Sequence, residues 1–369
     1  MKFTCDQTSL VKALNTVSKA VTARTTIPIL KGILLNLQGD DLTLTASDLE
    51  ISIEKIIKVK GMENGSLVVS AKLFSDIIRK LPNEEIFLEG DENEKTFIKT
   101  SSSEFTIVSI QADEFPRIGS IEEEQDRFVF NKDLLREMVR KTTFCASVDE
   151  SKGIIVGVLI ERNEDNLTMV ALDGFRMAVV RENIEKGDES KIIISAKLLS
   201  EISKIITDEE PEGDIIMVLD KKKALITIDT SKVVLRLLEG DFIKYKDILP
   251  KDKSLKMLVS RSLLQDSIER ASLLAKEGKN NLVKFTIADN LLTITSKSEE
   301  GNVKEEIVIE KIGDDIEIGF NSKYVLDVLK AVDDEVILME FNSPTSPCMI
   351  KQPEGNMYEY LVLPVRING

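Results

Sequence analysis

One stretch of the chain occurs three times, and this repetition constrains the fold more than any other feature. Its copies are Ser70–Leu81, Ser195–Ile206 and the more divergent Asn321–Val332. Each begins with Ser or Asn, whose side-chain oxygen can cap the free N–H groups of a helix start. Apolar residues then recur at helical spacing, which predicts one buried face for each helix. The predicted faces are Leu73, Ile77 and Leu81; Leu198, Ile202 and Ile206; and Tyr324, Val328 and Val332.

The spacing of the copies predicts three similar domains. Lys72 and Lys197 are 125 residues apart, and Lys197 and Lys323 are 126 residues apart. Repeats of this length correspond to whole domains, because solenoid units run only about 20–50 residues. We expect domains over residues 1–125, 126–253 and 254–369. The strand and helix patterns predict an α+β fold in which each domain packs two helices on mostly antiparallel sheets.

Composition excludes several classes of protein. The chain is 42% apolar and 31% charged, as is typical of globular domains. It contains no histidine, which removes the commonest general base and any His-containing zinc site. The three cysteines, Cys5, Cys145 and Cys348, show no metal-ligand spacing, so we expect reduced thiols and a cytoplasmic protein. The chain also lacks phosphate-loop and dinucleotide fingerprints, and we predict no metal or cofactor.

Basic residues recur on the predicted helices although the formal net charge is −15. Lys72 and Arg79 are seven residues apart, as are Lys197 and Lys204, so each pair shares one helical face. The ordinary interpretation is a surface ladder with nearby acids, which contributes only a few tenths of a kcal/mol per pair. Recurrence on equivalent helices favours sequence-independent contact with DNA phosphates instead. The predicted DNA-facing residues are Arg24, Lys72, Arg79, Lys197 and Lys204.

Two other functions compete with DNA contact. One is an enzyme that uses carboxylates such as Asp48 and Asp173, and the other is an assembly scaffold that binds no nucleic acid. Asp48 and Asp173 are repeat equivalents 125 residues apart, each just after a strand, which favours a turn role over a catalytic pair. Gel filtration that compares retention of the protein on nicked circular DNA with its retention on linearised DNA distinguishes these hypotheses.

Several segments together resemble the bacterial β sliding clamp, the processivity subunit of DNA polymerase III. They are Met1–Thr4, Arg24–Leu30, Thr45–Glu50, Leu172–Met177, Phe320–Leu329 and Leu363–Arg366. The resemblance covers all three predicted domains. It implies a homodimer in which two three-domain chains join head to tail as a pseudo-sixfold ring around double-stranded DNA. It further implies a non-catalytic tether for DNA polymerase III alpha, other polymerases and repair proteins, opened by a clamp loader.

The resemblance also implies a partner-peptide pocket lined by the C-terminal segment. Carried over by motif, its residues are Ile155, Leu172, Gly174, Phe175, Arg176, Met177, Ile243, Ile248, Asn321, Tyr324, Leu361, Leu363, Pro364, Val365 and Arg366. Composition alone would favour an ordinary core for the apolar members. Two positions depart from the family pattern: Phe175 stands where a histidine is familiar, and Asp247 where a base is familiar. We therefore expect a more apolar pocket beside Arg176, with one charge at its rim inverted.

The resemblance places the ring joint between domain one and domain three of the partner chain. The strand Phe105–Ile110 is expected to pair with an edge of domain three. Phe105, Ile107, Leu273 and Leu274 are the predicted interface residues.

Overall fold

The computed structural model describes residues 1–22, 25–91, 93–116 and 127–367, except the side chain of Lys279. The first repeat contains β1 (Lys2–Asp6), α1 (Gln7–Val17), β2 (Gly32–Gln38), β3 (Asp41–Ser47), β4 (Ile51–Lys58), β5 (Lys60–Glu63), β6 (Gly65–Ser70), α2 (Ala71–Lys80), β7 (Glu85–Gly90), β8 (Lys95–Lys99) and β9 (Glu104–Ile110). The middle repeat contains β10 (Arg127–Phe130), α3 (Lys132–Thr142), β11 (Gly157–Asn163), β12 (Asn166–Leu172), β13 (Arg176–Asn183), β14 (Ser190–Ser195), α4 (Ala196–Glu209), β15 (Ile215–Leu219), β16 (Lys223–Ile228) and β17 (Ser231–Arg236). The third contains β18 (Leu255–Ser260), α5 (Arg261–Ala275), β19 (Leu282–Ala288), β20 (Leu291–Ser298), β21 (Gly301–Val308), β22 (Glu310–Gly313), β23 (Ile316–Asn321), α6 (Ser322–Ala331), β24 (Val336–Phe341), β25 (Cys348–Lys351) and β26 (Tyr358–Val362).

Residue contacts divide the chain into two compact units, and the middle repeat is shared between them. The first unit comprises residues 1–134 and 201–237, and the second comprises residues 135–200 and 238–369. Strand pairing explains this division. In the first unit β17 pairs with β4, which joins strands of the first and middle repeats in one antiparallel sheet. In the second unit β13 pairs with β26, which joins strands of the middle and third repeats.

The first unit contains a sheet of thirteen described strands, in the order β10-β15-β16-β17-β4-β3-β2-β6-β9-β8-β7-β1-β5. The second contains nine strands in the order β14-β11-β12-β13-β26-β25-β24-β18-β22, and a separate sheet in the order β21-β20-β19-β23. Every described pair is antiparallel, as hairpin spacing predicts. Strands with alternating burial, such as β19, direct their apolar residues into the core.

The three repeated helices form where the periodicity predicts them, but the buried face of α2 is rotated from the prediction. Leu73 is 49% exposed, whereas Phe74 and Ile78 are completely buried. Phe74 lies one position further along the helix, and the larger aromatic ring occupies the core. The predicted face of α4 is confirmed, since Ile202 and Ile206 are completely buried.

The helix starts also differ from one another. The Asn321 side chain accepts a hydrogen bond from the backbone N–H of Lys323 at 3.0 Å, as an N-cap residue should. Ser70 occupies the same position in α2, but its hydroxyl makes no capping bond with any described residue. The cap prediction is therefore right for Asn321 and wrong for Ser70.

The three cysteines are free and buried. Burial raises the pKa of the Cys5 thiol to about 12, aided by the charges of Asp6 and Glu85, and raises those of Cys145 and Cys348 above the usual value. A protonated, buried thiol is a poor nucleophile and a poor metal ligand. Among the described helices, none has the length and apolar character that a membrane crossing requires.

Candidate partner-binding site

The turn between β12 and β13 is shaped by one carboxylate. The Oδ1 atom of Asp173 accepts hydrogen bonds from the backbone N–H of Phe175 at 2.8 Å and of Arg176 at 3.0 Å. Gly174, between them, has a φ of 93°, a left-handed value that glycine adopts without a steric cost. The turn places the Phe175 ring outward, 52% exposed, while Arg176 is only 8% exposed.

Arg176 connects this turn to two other elements of the second unit. Its Nε donates to Asp173 Oδ2 at 3.1 Å, its Nη1 to Asp327 Oδ2 at 2.5 Å, and its Nη2 to the Phe144 carbonyl at 2.7 Å. A buried guanidinium is tolerated only when its charge and donors are satisfied in this way. Arg176 therefore holds the turn, α6 and the end of the α3 segment in one arrangement.

Aromatic rings extend the contact between the turn and α6. The Phe175 and Tyr324 rings are stacked, with centroids 5.9 Å apart and planes 19° from parallel. The Arg176 guanidinium lies 4.8 Å from the Tyr324 centroid, in the range of a cation–π contact. The Nζ of Lys152 lies 5.8 Å from the exposed Phe175 ring. The result is an aromatic wall with cations beside it.

The C-terminal segment forms the next side of the site. Strand β26 pairs with β13, so that Leu361 lies opposite Met177. After β26 the chain leaves the sheet, and the Leu363 N–H donates to the Phe175 carbonyl at 2.8 Å. Pro364 and Val365 are half-buried and Arg366 is exposed. Because Pro364 has no N–H, the segment does not continue as a regular central strand.

Below these walls lies an apolar cluster. Its buried members are Leu159, Val170, Leu172, Met177, Val179, Ile193, Phe242, Tyr245, Met349 and Leu361, with Ile155 and Leu363 among the half-buried residues against it. Tyr245 donates its hydroxyl to Glu161 at 3.2 Å, and burial, followed by the Glu161 charge and this bond, raises the pKa of Tyr245 to about 12. Ile243 and Ile248 flank this tyrosine in sequence and are 40% and 43% exposed.

The predicted pocket residues therefore fall into two groups. Leu172, Met177 and Leu361 are buried and form the floor, whereas Phe175, Ile243 and Ile248 expose large apolar surface. Exposed apolar side chains beside a packed floor suit the capture of aliphatic or aromatic anchors. Asp247, the inverted rim charge, is exposed. Sequence reasoning missed Lys152, Phe144 and Asp327, whose contacts with Phe175 and Arg176 depend on distant parts of the chain.

The two carboxylates of the enzyme hypothesis both have turn contacts. Asp173 is occupied by its two backbone bonds and by Arg176. Asp48 accepts from the N–H groups of Glu50 and Ile51 at 3.0 and 2.9 Å, so it has the same turn role. Among the described residues no group of three potential ligands could hold a metal ion.

The predicted DNA-facing residues are exposed where the structure describes them. Lys72 and Lys197 are exposed and form no ion pair with any described residue. Arg79 donates to the Asn15 side chain at 2.7 Å, and Lys204 pairs with Glu201 at 2.8 Å. Arg24 lies outside the described residues. The surface-ladder interpretation therefore fits Lys204, whereas Lys72 and Lys197 present unneutralised charge.

Of the predicted joint residues, Leu273 is 66% exposed, Phe105 is 39% exposed and Leu274 is half-buried. Ile107 stays a predicted joint residue, but at 7% exposure it offers little surface to a partner. The alternation of β9 instead directs Val108 outward, at 75% exposure.

The repeated packing of helices on antiparallel sheets, with exposed apolar side chains beside a packed floor, is the architecture of a clamp-type protein. Family profiles of the DNA polymerase III beta subunit match the chain three times: the N-terminal domain over residues 1–119, the central domain over 129–244 and the C-terminal domain over 246–366. The chain belongs to this family, and it is a DNA sliding clamp, a non-catalytic processivity factor.

Three bacterial relatives match the chain over nearly its full length. The beta sliding clamp of Halalkalibacterium halodurans is 34% identical over 99% of this chain and 100% of its own. The crystal structure of the Bacillus subtilis DNA polymerase sliding clamp covers 100% of both chains with a TM-score of 0.95 and 33% identity. A Pseudomonas aeruginosa sliding clamp bound to griselimycin covers 100% of both chains with a TM-score of 0.93 and 27% identity.

Proposed function

We propose that two copies of this chain join head to tail as a pseudo-sixfold ring around duplex DNA. In the cytoplasm, a clamp loader opens the ring, and the ring tethers DNA polymerase III alpha, other polymerases and repair proteins by short peptides. The domains of each chain are proposed to span residues 1–125, 126–253 and 254–369.

The observation that carries peptide capture is the exposed apolar surface beside the buried cluster of the second unit. The Phe175–Tyr324 wall and the exposed Ile243 and Ile248 offer surface for aliphatic and aromatic anchors, and a few such anchors supply most of the affinity of an interface. An isolated peptide is expected to bind in roughly the micromolar range, and two grooves per ring raise the effective affinity of a bivalent partner.

Unneutralised bases support a sequence-independent contact with DNA. Lys72 and Lys197 are exposed on equivalent helices, and with Arg24, Arg79 and Lys204 they are proposed to contact phosphates. A net charge of −15 opposes tight binding to free DNA, so retention should depend on topology and decrease with salt.

Two unpaired strand edges support the joint. Residues Glu104–Val108 of β9 pair with β8 on one side, and no described strand covers the other. Strand β21 is likewise the last strand of its sheet, paired only with β20 among the described strands. Pairing of β9 with β21 of the partner would satisfy both edges and bring Phe105, Val108 and Leu273 into the joint.

Topological retention tests the ring. The protein should be loaded on nicked circular DNA and followed by gel filtration before and after linearisation. A ring stays with the circle and is lost from the linear ends, and neutralising the five bases should impair loading or sliding without unfolding. Equal retention on both forms, or specific binding to short linear duplexes, would contradict the proposal.

Truncation tests the groove separately. Removal of residues 363–369 should abolish binding of a polymerase III alpha peptide in calorimetry while light scattering still detects the dimer. Unchanged peptide affinity would mean that the groove lies elsewhere.

A further inference from the structure

The C-terminal segment lies directly over a glycine that the peptide pocket does not include. Gly319 is in β23, which pairs on one side with β19, where Lys284 lies opposite Gly319. On its other side the Val365 N–H donates to the Gly319 carbonyl at 2.8 Å. The segment after β26 thus docks on the free edge of β23.

No side chain fits at position 319 while the segment stays in place. A Cβ on Gly319 would lie 2.8 Å from the Val365 carbonyl oxygen, 2.9 Å from Leu282 Cδ1 and 3.0 Å from Ile367 Cγ1. A flexible side chain could move away, but a backbone carbonyl moves only with its segment. The φ of Gly319 lies outside the left-handed region, so the backbone itself accepts any residue and the requirement is purely one of space.

The same strand also carries the opposite wall of the groove. Two residues after Gly319, Asn321 caps α6, and α6 presents Tyr324 to Phe175. The C-terminal segment is fixed at its other end by the bond from the Leu363 N–H to the Phe175 carbonyl. The distance between the segment and α6 therefore depends on how closely the segment approaches β23.

We infer that Gly319 is a positioning residue for partner-peptide binding: its missing side chain allows residues 363–367 to seat against β23 and so sets the groove width. This inference rests on the proposed peptide-binding function. Preorganised walls raise affinity because the peptide does not have to order them when it binds.

The test uses the full chain with Gly319→Ala, and Gly213→Ala as the matched control, since a Cβ on Gly213 meets nothing within 4 Å. Hydrogen–deuterium exchange of the proteolytic fragment that contains residues 363–367 reports whether the segment stays docked, because the Leu363 and Val365 amides donate the hydrogen bonds that hold it. Calorimetry with a synthetic peptide of the cognate polymerase III alpha subunit reports on the site. We expect faster exchange and affinity weakened about tenfold or more in Gly319→Ala, an unchanged dimer, and no change in Gly213→Ala.

A second measurement separates positioning from a merely structural role. In a chain truncated after Pro364, both close neighbours of position 319 in the segment are absent. The remaining neighbour, Leu282 Cδ1, is the free end of a side chain and can rotate away. Gly319→Ala should therefore lower the melting temperature of the full chain much more than that of the truncated chain. Equal effects in both chains would overturn the inference.

The remaining outcomes are also decisive. Faster exchange with affinity within twofold of the unmodified chain would overturn the link from the segment to the site, and lost affinity without faster exchange would overturn the route through the segment. If the unmodified chain itself binds no peptide, the proposed function fails, while exchange and melting still decide how Gly319 seats the segment.

Discussion

Arg176 shows how a single residue joins sequence-distant parts of the site. Its three hydrogen-bond partners are a neighbour in the turn, a carbonyl before the middle-repeat sheet and a carboxylate on α6. Each partner satisfies a donor that would otherwise be buried without compensation. The residue therefore stabilises the elements that form the proposed peptide site.

Arg176→Ala should destabilise the protein strongly. Removing one member of a buried ion pair leaves the other uncompensated, which costs about 3–5 kcal/mol. Arg236→Ala is the control, since that side chain is 57% exposed and lies 3.9 Å from Glu50; exposed pairs contribute about 0–1 kcal/mol. Chemical denaturation measures both free energies of unfolding. Similar losses in the two variants would show that the Arg176 network contributes little.

The repeated helices provide an internal comparison at the level of the element. Asn321→Ala removes the capping bond to Lys323 and should cost about 0.5–2 kcal/mol. Ser70→Ala at the equivalent position should cost much less, because Ser70 makes no such bond with a described residue. Thermal unfolding of the two variants measures the difference. An equal shift in melting temperature for both variants would mean that helix propensity, and not the capping bond, determines the loss of stability.

A line of ion pairs crosses the nine-stranded sheet. Arg181 on β13 bonds Glu359 on β26 at 2.7 Å, Glu359 bonds Lys351 on β25 at 2.9 Å, and Lys351 lies 3.4 Å from Glu340 on β24. Burial opposes the charge of Glu359, but hydrogen bonds from Lys351 and Arg181 outweigh it and lower the pKa of this carboxyl. Stability from a lowered carboxyl pKa is present above the unfolded value of about 4.3 and is lost as the pH falls through the folded value.

Glu359→Gln should therefore destabilise the protein at pH 7 by about 1–3 kcal/mol, and the difference from the unmodified chain should shrink as the pH falls below about 4. Glu354→Gln is the control, because Glu354 is exposed and forms no ion pair with a described residue. Denaturation at several pH values measures both. A difference for Glu359→Gln that is as large at pH 3 as at pH 7 would contradict the assignment.

Periodicity predicted which segments become helices, but not every contact they make. It placed α4 and its buried face correctly, since Leu198, Ile202 and Ile206 are all buried. It failed for α2, where Leu73 and Phe74 are adjacent apolar residues and packing selects the larger one. The Asp173 turn was readable from local sequence, whereas the bond from Arg176 to Asp327 required the folded chain.

At the scale of the molecule, the boundaries of the sequence repeats differ from the boundaries of the compact units. The repeats predict three domains, yet each compact unit contains a sheet shared by two repeats. The alternation of apolar residues identifies strands but not their partners, so the pairing of β17 with β4 and of β13 with β26 could not be predicted from one sequence. These pairings extend the sheets from one repeat into the next. In contrast, β21 and residues 104–108 of β9 each have one edge that no described strand covers.

The unpaired edges lead to a prediction about assembly. Val108 on β9 and Leu273 on α5 expose 75% and 66% of their surface, so both side chains are available to a partner that pairs with these edges. A glutamate at either position would have to be buried in the proposed joint without a paired cation, at a cost of several kcal/mol. Val108→Glu and Leu273→Glu should therefore yield monomers at micromolar concentration.

The matched control is Ile312→Glu on β22, which is 78% exposed and lies outside the proposed joint. Light scattering measures the oligomeric state, and retention on nicked circular DNA reports its consequence, since an open monomer cannot stay on the circle. Loss of the dimer should accompany loss of retention in the two joint variants, while Ile312→Glu keeps both. Variants at Val108 and Leu273 that remain fully dimeric would mean that the joint lies on a different surface. Monomers that are still retained on the circular DNA would show that retention does not require a closed ring.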